Sequence, residues 1–191
     1  MPRLNLTAIH RSAAKNLEDS LRHYEEAPKG LAREFVELKL QGCIFQYDVC
    51  AEMVSFVRNK PTGFAAAVAL KGLVLRLYEY DSLLNSNLIP RLLALTEARS
   101  VPFNRSTVKH LRAQWRAELN RLRRWSDVRN QAAGHYDKAL ESQVRLLKQL
   151  DPDEVMTVAN AFLSFNMALL VGLRDAGRGV RSAASQETPS K

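Results

Sequence analysis

The sequence predicts an all-α fold, a bundle of five to six helices, and three observations carry that expectation. Apolar residues recur at three-, four- and seven-residue intervals over most of the chain, and no segment alternates with the two-residue period of a strand. Seven Pro and eight Gly in 191 residues are few, and many of them fall between the periodic segments. With 46% hydrophobic and 25% charged residues, the chain has the makings of one domain with a buried core, which excludes wholesale disorder and a turn-rich sandwich.

The elements follow in order. Residues 1–16 read as a loosely ordered N-terminal segment. Leu17 to Ala27 reads as a short helix stopped by Pro28 and Gly30. Leu31 to Asn59 carries Leu31, Phe35, Leu38, Phe45, Val49, Met53 and Phe56 on a helical period. Pro61 and Gly63 separate it from a third helix over Phe64 to Asp81. Asn85, Ser86 and Asn87 read as a loop before a fourth helix, Leu88 to Glu97, and Pro102 and Asn104 break the chain again.

The next helix is the longest amphipathic stretch. Ser106 is its expected cap, and Val108, Leu111, Trp115, Leu119, Leu122 and Trp125 form one apolar stripe. Lys109, Arg112, Arg116 and Arg123 lie on another face as a cationic ribbon. The last helix begins at D-P-D-E, with Asp151 as N-cap, Pro152 at the first helical position and Glu154 closing a capping box. Gly177 and Gly179 are expected to end it, which leaves 177–191 as a flexible tail and 17–176 as the helical domain.

Cys43 and Cys50 are too few for a disulfide framework. On one helix they are separated by ~10 Å, too far to bridge, so they read as buried apolar residues in a reducing compartment. The N-terminus lacks the apolar run of a signal peptide. Ala161 to Leu173 is short of the ~20 residues that cross a bilayer and contains Ser164 and Asn166. A cytoplasmic protein with no membrane partner is the expectation.

Charge gives the first functional indication. Lys and Arg total 28 against 20 acids, a net charge of +8. Between Arg99 and Arg129 stand nine basic residues and two acids, Glu118 and Asp127. An excess placed this way favours an anionic partner, nucleic acid above all, although such a run also serves as a solvated face.

Beyond Trp125 the stripe reaches Arg129, where the spacing calls for an apolar group. A guanidinium there requires an anionic or hydrogen-bonded partner, or it snorkels to solvent. On a continuous helix His135 lies roughly 240° around from Arg129, and a bend at Gly134 would let it fold back. His135 equally suits the negative end of a helix dipole. Arginine forks match phosphate oxygens, and histidine exchanges protons near neutral pH. RNA supplies its own 2′-OH nucleophile, so this chemistry needs neither a cofactor nor a metal, and no metal-ligand spacing is present.

The segment V-R-N-Q-A-A-G-H-Y-D at 128–137 resembles the R-N-x-x-x-x-H signature of HEPN domains, helical RNase modules of toxin–antitoxin, abortive-infection and CRISPR systems. L-R-L-Y-E at 75–79 and L-I-P-R-L-L-A-L at 88–95 look like the region preceding the motif in abortive-infection members. The resemblance implies a HEPN-like bundle and a metal-independent endoribonuclease acting as a toxin or antiviral effector. It implies Arg129 and His135 as catalytic residues supported by Asn130, and cleavage that leaves a cyclic phosphate. Its implied partners are RNA, a second copy completing a composite active site, and an antitoxin or defence-system protein. Lys109, Arg112, Arg116 and Arg123 are the expected RNA-backbone contacts. A non-catalytic helical module binding RNA, a nucleotide or a protein is the alternative, and an interaction protein using its Trp-containing stripe is a third reading. Trp115 and Trp125 read as core or interface anchors, Asp151, Asp153 and Glu154 as a helix start; Glu79 and Asp81 have no recognisable spacing, and Arg76 and Arg91 receive no role.

Overall fold

A computed structural model describes residues 5–133 and 140–186, and among them every regular element is helical. The described residues form eight α-helices, α1 (Leu6–Glu26), α2 (Leu31–Asn59), α3 (Gly63–Leu83), α4 (Ile89–Ala98), α5 (Arg105–Ala113), α6 (Arg116–Arg121), α7 (Leu140–Leu147) and α8 (Pro152–Gln186). This exceeds the five to six expected from periodicity, because the long amphipathic stretch is divided into α5 and α6 and because α7 was not expected.

The first helix begins at Leu6 rather than Leu17. Asn5 caps it, its side chain accepting from the Ala8 amide at 3.1 Å, and Leu6 and Ile9 pack against the core. Its innermost residues are small, Ala13 and Ser20, and the Ser20 hydroxyl lies 3.2 Å from Cys43 Sγ on α2. Small residues bring α1 close to α2 without a bulky apolar stripe, so the pattern understates the helix. Gly30, at φ 101°, turns the chain into α2 in a conformation other residues rarely adopt. That helix ends where expected, with Lys60 left-handed and its amide donating to the Phe56 carbonyl at 3.0 Å.

The expected loop at 85–87 is instead a π-helical turn, Leu84–Leu88, that carries α3 into α4. Leu84 and Leu88 are both buried in it. The Asn85 amide donates to the Asp81 carbonyl at 2.6 Å and the Ser86 hydroxyl to the Ser82 carbonyl at 2.8 Å. These polar side chains bond back onto the preceding helical turn, so residues that commonly signal a loop here stay helical. Thr96, fully buried, then holds the 99–104 link by donating to the Phe103 carbonyl at 2.8 Å.

Helix α8 is the axis of the core and contacts α2, α3, α5 and α6. Val155, Val158, Ala159, Phe162 and Phe165 lie along one face with no exposed surface. Burying each of the two phenylalanines is worth about 1.5–3 kcal/mol. The run Ala161 to Leu173 is part of a longer stretch, Pro152–Asp175, that is long and apolar enough to cross a membrane; half of its most apolar window is buried inside the protein. The helix continues past Gly177 and Gly179 to Gln186, since glycine inside a helix costs only about 1 kcal/mol and does not compel termination. Its N-terminus is capped by Asp151, whose Oδ1 accepts from the amides of Asp153 at 2.8 Å and Glu154 at 3.3 Å. Glu154 does not close the capping box; its carboxylate lies 3.8 Å from Arg121 and 3.7 Å from Arg124. Both cysteines are free and buried.

Candidate nucleic-acid interface and the Arg129 segment

The basic stretch starts at Asn104, not Ser106. The Asn104 side chain accepts from the Thr107 amide at 3.1 Å and Thr107 reciprocates, a capping box that places Arg105 and Ser106 inside the first turn of α5. The helix is interrupted at Gln114 and Trp115, where Trp115 takes φ −120° and its half-buried ring tilts against Phe165 of α8, 6.4 Å between centroids. Beyond α6 the winding tightens to a 3-10 turn over Leu122–Trp125 and then loosens to a π turn over Val128–Ala133.

This change of winding determines where Arg129 points. Leu119, Leu122, Trp125 and Val128 are all buried, at successive intervals of three. The stripe therefore passes to Val128, and Arg129 is exposed instead of occupying a buried apolar position. Its Nη1 donates to Asn130 Oδ1 at 2.9 Å, and its guanidinium stands 5.8 Å from the centre of the Tyr78 ring on α3. Among the described residues its remaining donors meet no acceptor, and one neutral acceptor does not neutralise its charge. His135 lies outside the described residues, as does Gly134.

Lys109, Arg116 and Arg123 are exposed and make no ion pair among the described residues. They recur every seven residues, about two helical turns apart. Arg112 differs. It is half-buried, its Nη2 donating to Asp81 Oδ1 at 2.7 Å and its Nη1 to Asn85 Oδ1 at 3.1 Å, with its guanidinium 5.7 Å from the Phe165 ring centre. Arg112 thus clamps α5 to the end of α3 and is not a free member of the ribbon. Sequence spacing missed this pairing because its partners are distant in the chain; the acid at Asp81, without a local role, was the only signal.

Arg76 and Arg91 also hold helices together. Arg76 donates to Glu52 Oε1 at 2.6 Å and Asp48 Oδ2 at 3.2 Å, and its hydrogen bond to Glu52 raises its pKa further. Arg91 reaches Glu37 at 3.2 Å. Among the described residues no group of three His, Cys, Asp or Glu side chains is assembled to hold a metal ion.

No family model, curated protein or solved structure matches this chain.

Proposed function

We propose that the chain is a metal-independent endoribonuclease of HEPN type, working as a toxin or antiviral effector in the cytoplasm. The observation that supports this most is Arg129: exposed, oriented by the side-chain Oδ1 of Asn130 at 2.9 Å, and six positions ahead of the motif histidine. In this reading Arg129 binds the non-bridging oxygens of the scissile phosphate and stabilises charge developing there. The 2′-oxygen attacks phosphorus, the bond to the 5′-oxygen breaks, and His135 transfers the proton, leaving a 2′,3′-cyclic phosphate. Two copies bring two motifs into one cleft, and a partner protein restrains the activity. Lys109, Arg116 and Arg123 guide the RNA backbone, with affinity falling as salt rises.

Purified protein incubated with RNA in excess EDTA tests the proposal. Cleavage persists with the chelator, stops with Arg129→Ala or His135→Ala, and spares RNA carrying a 2′-deoxy sugar at the cut site. Loss of cleavage on chelation, or its survival in both variants, rejects the mechanism.

Lys109, Arg116 and Arg123, exposed and without an ion pair among the described residues, favour a second reading, a non-catalytic RNA-binding module. Salt-sensitive RNA binding without cleavage products under any condition identifies it.

A further inference from the structure

We infer that the cleft between α1, α2, α8 and the link after α4 binds an anionic amphiphile, an aliphatic chain ending in a carboxylate. The cleft has a volume of about 840 Å³, within the ~300–1,000 Å³ range of small-molecule sites. Val36 of α2 and Met167, Leu170 and Val171 of α8 supply apolar wall. Met167 and Val171 are 39% and 38% exposed, large apolar side chains that open onto the cleft from the central helix. Water against such walls gains few partners, and an aliphatic chain displaces it favourably. The Gln46 amide donates to Met167 Sδ at 3.2 Å and so anchors an adaptable thioether in the wall.

Three cations line the same cleft, Lys39, Arg99 and Arg174, and among the described residues no acidic side chain does. Arg174 is already shared with Asp175, its Nε donating at 2.9 Å. Lys39 and Arg99 make no ion pair among the described residues, and the Arg99 guanidinium stands 5.0 Å from the centre of the Phe35 ring, itself part of the lining. A cation held at the edge of an apolar wall suits an anionic head whose tail lies along that wall. The fork of Arg99 matches the two oxygens of a carboxylate, and Lys39 adds a second positive charge to the same cleft. A simple anion would leave the walls wet, and an alkane would leave the cations unused. The site is independent of the ribonuclease reading, because its elements carry neither Arg129 nor the basic ribbon.

Isothermal titration of the full chain with dodecanoate, below its micelle concentration, tests the assignment against dodecanol, acetate and dodecyl phosphate. Dodecanoate is expected to bind saturably at one per chain, with dodecanol and acetate each at least about tenfold weaker. Replacing Lys39 and Arg99 together by Ala should weaken dodecanoate about tenfold and leave dodecanol unchanged, as two partly exposed charge contacts would. Val171→Trp should block both; the double charge variant keeps the test open if that bulkier variant does not fold. Non-saturable uptake, equal affinity for dodecanol, or indifference to the charge variant overturns the proposal. A preference for dodecyl phosphate overturns the carboxylate head.

Discussion

The Tyr80 hydroxyl donates to Asn166 Oδ1 at 2.8 Å, a bond between α3 and α8 that is sealed from solvent. Asn166 then donates its amide nitrogen to the Gly42 carbonyl of α2 at 3.0 Å, so one side chain ties three helices. Gly42 permits this approach, since a Cβ there would stand 3.3 Å from Asn166 Oδ1 and from Leu170. Phe45 stacks on Tyr80 at 3.6 Å between centroids and completes the enclosure. Asn166→Leu strands a buried hydroxyl without its acceptor and should cost about 2–4 kcal/mol. Adding Tyr80→Phe should recover part of that loss, because the unpaired group is then gone. Urea unfolding of the single and double variants measures both; strictly additive losses would show that the two residues are not coupled.

Arg112 and Asp81 form a half-buried ion pair at 2.7 Å, so Arg112 contributes to the fold. Asp81→Asn should lower stability by about 1 kcal/mol while leaving RNA affinity undiminished, since it removes an acid and releases a cation. Lys109→Glu should do the opposite, weakening RNA binding while changing stability by less than about 0.5 kcal/mol. Unfolding midpoints together with filter-binding titrations at two salt concentrations separate the two effects.

Arg129 is exposed and bonded to its neighbour Asn130, and among the described residues its removal leaves no buried polar partner behind. Arg129→Ala should therefore shift stability by no more than about 0.5 kcal/mol and still reduce cleavage by about 100-fold or more. Asn130→Ala, which removes only the orienting acceptor, should reduce it by about tenfold. A large fall in melting temperature for Arg129→Ala would assign the residue a structural role instead.

Burial pushes the Cys50 thiol up to about 11 from its usual 9.0. The folded state therefore keeps this proton over a range where the unfolded chain loses it. Stability contributed by the neutral thiol is complete below about pH 9 and declines as pH rises toward 11, by about 2–3 kcal/mol at most. Burial raises the Tyr80 hydroxyl in the same direction. Stability profiles of the wild type and Cys50→Ala between pH 8 and pH 11 should diverge, with the wild type declining more steeply. Parallel profiles would remove the thiol as the cause.

Much of the helical framework was legible from spacing alone. The bounds of α2, the stripe through Val108, Leu119, Leu122 and Trp125, and the Asp151–Pro152 start of α8 follow from interactions within a few residues, and periodicity and capping chemistry record those directly. Of the motif residues Arg129, Asn130 and His135, the first two are neighbours joined by a hydrogen bond, and His135 lies outside the described residues.

Tertiary packing decided the rest. It wound 84–88 as a π turn, broke the basic helix at Trp115, and turned Arg129 outward by passing the buried register to Val128. It also withdrew Arg112 from the cationic face, through an acid on another helix. A short window of residues encodes the period of a helix, because its hydrogen bonds span four positions. The winding of one turn and the partner of one charge depend on which surfaces meet across the core, and only the assembled bundle brings those surfaces together.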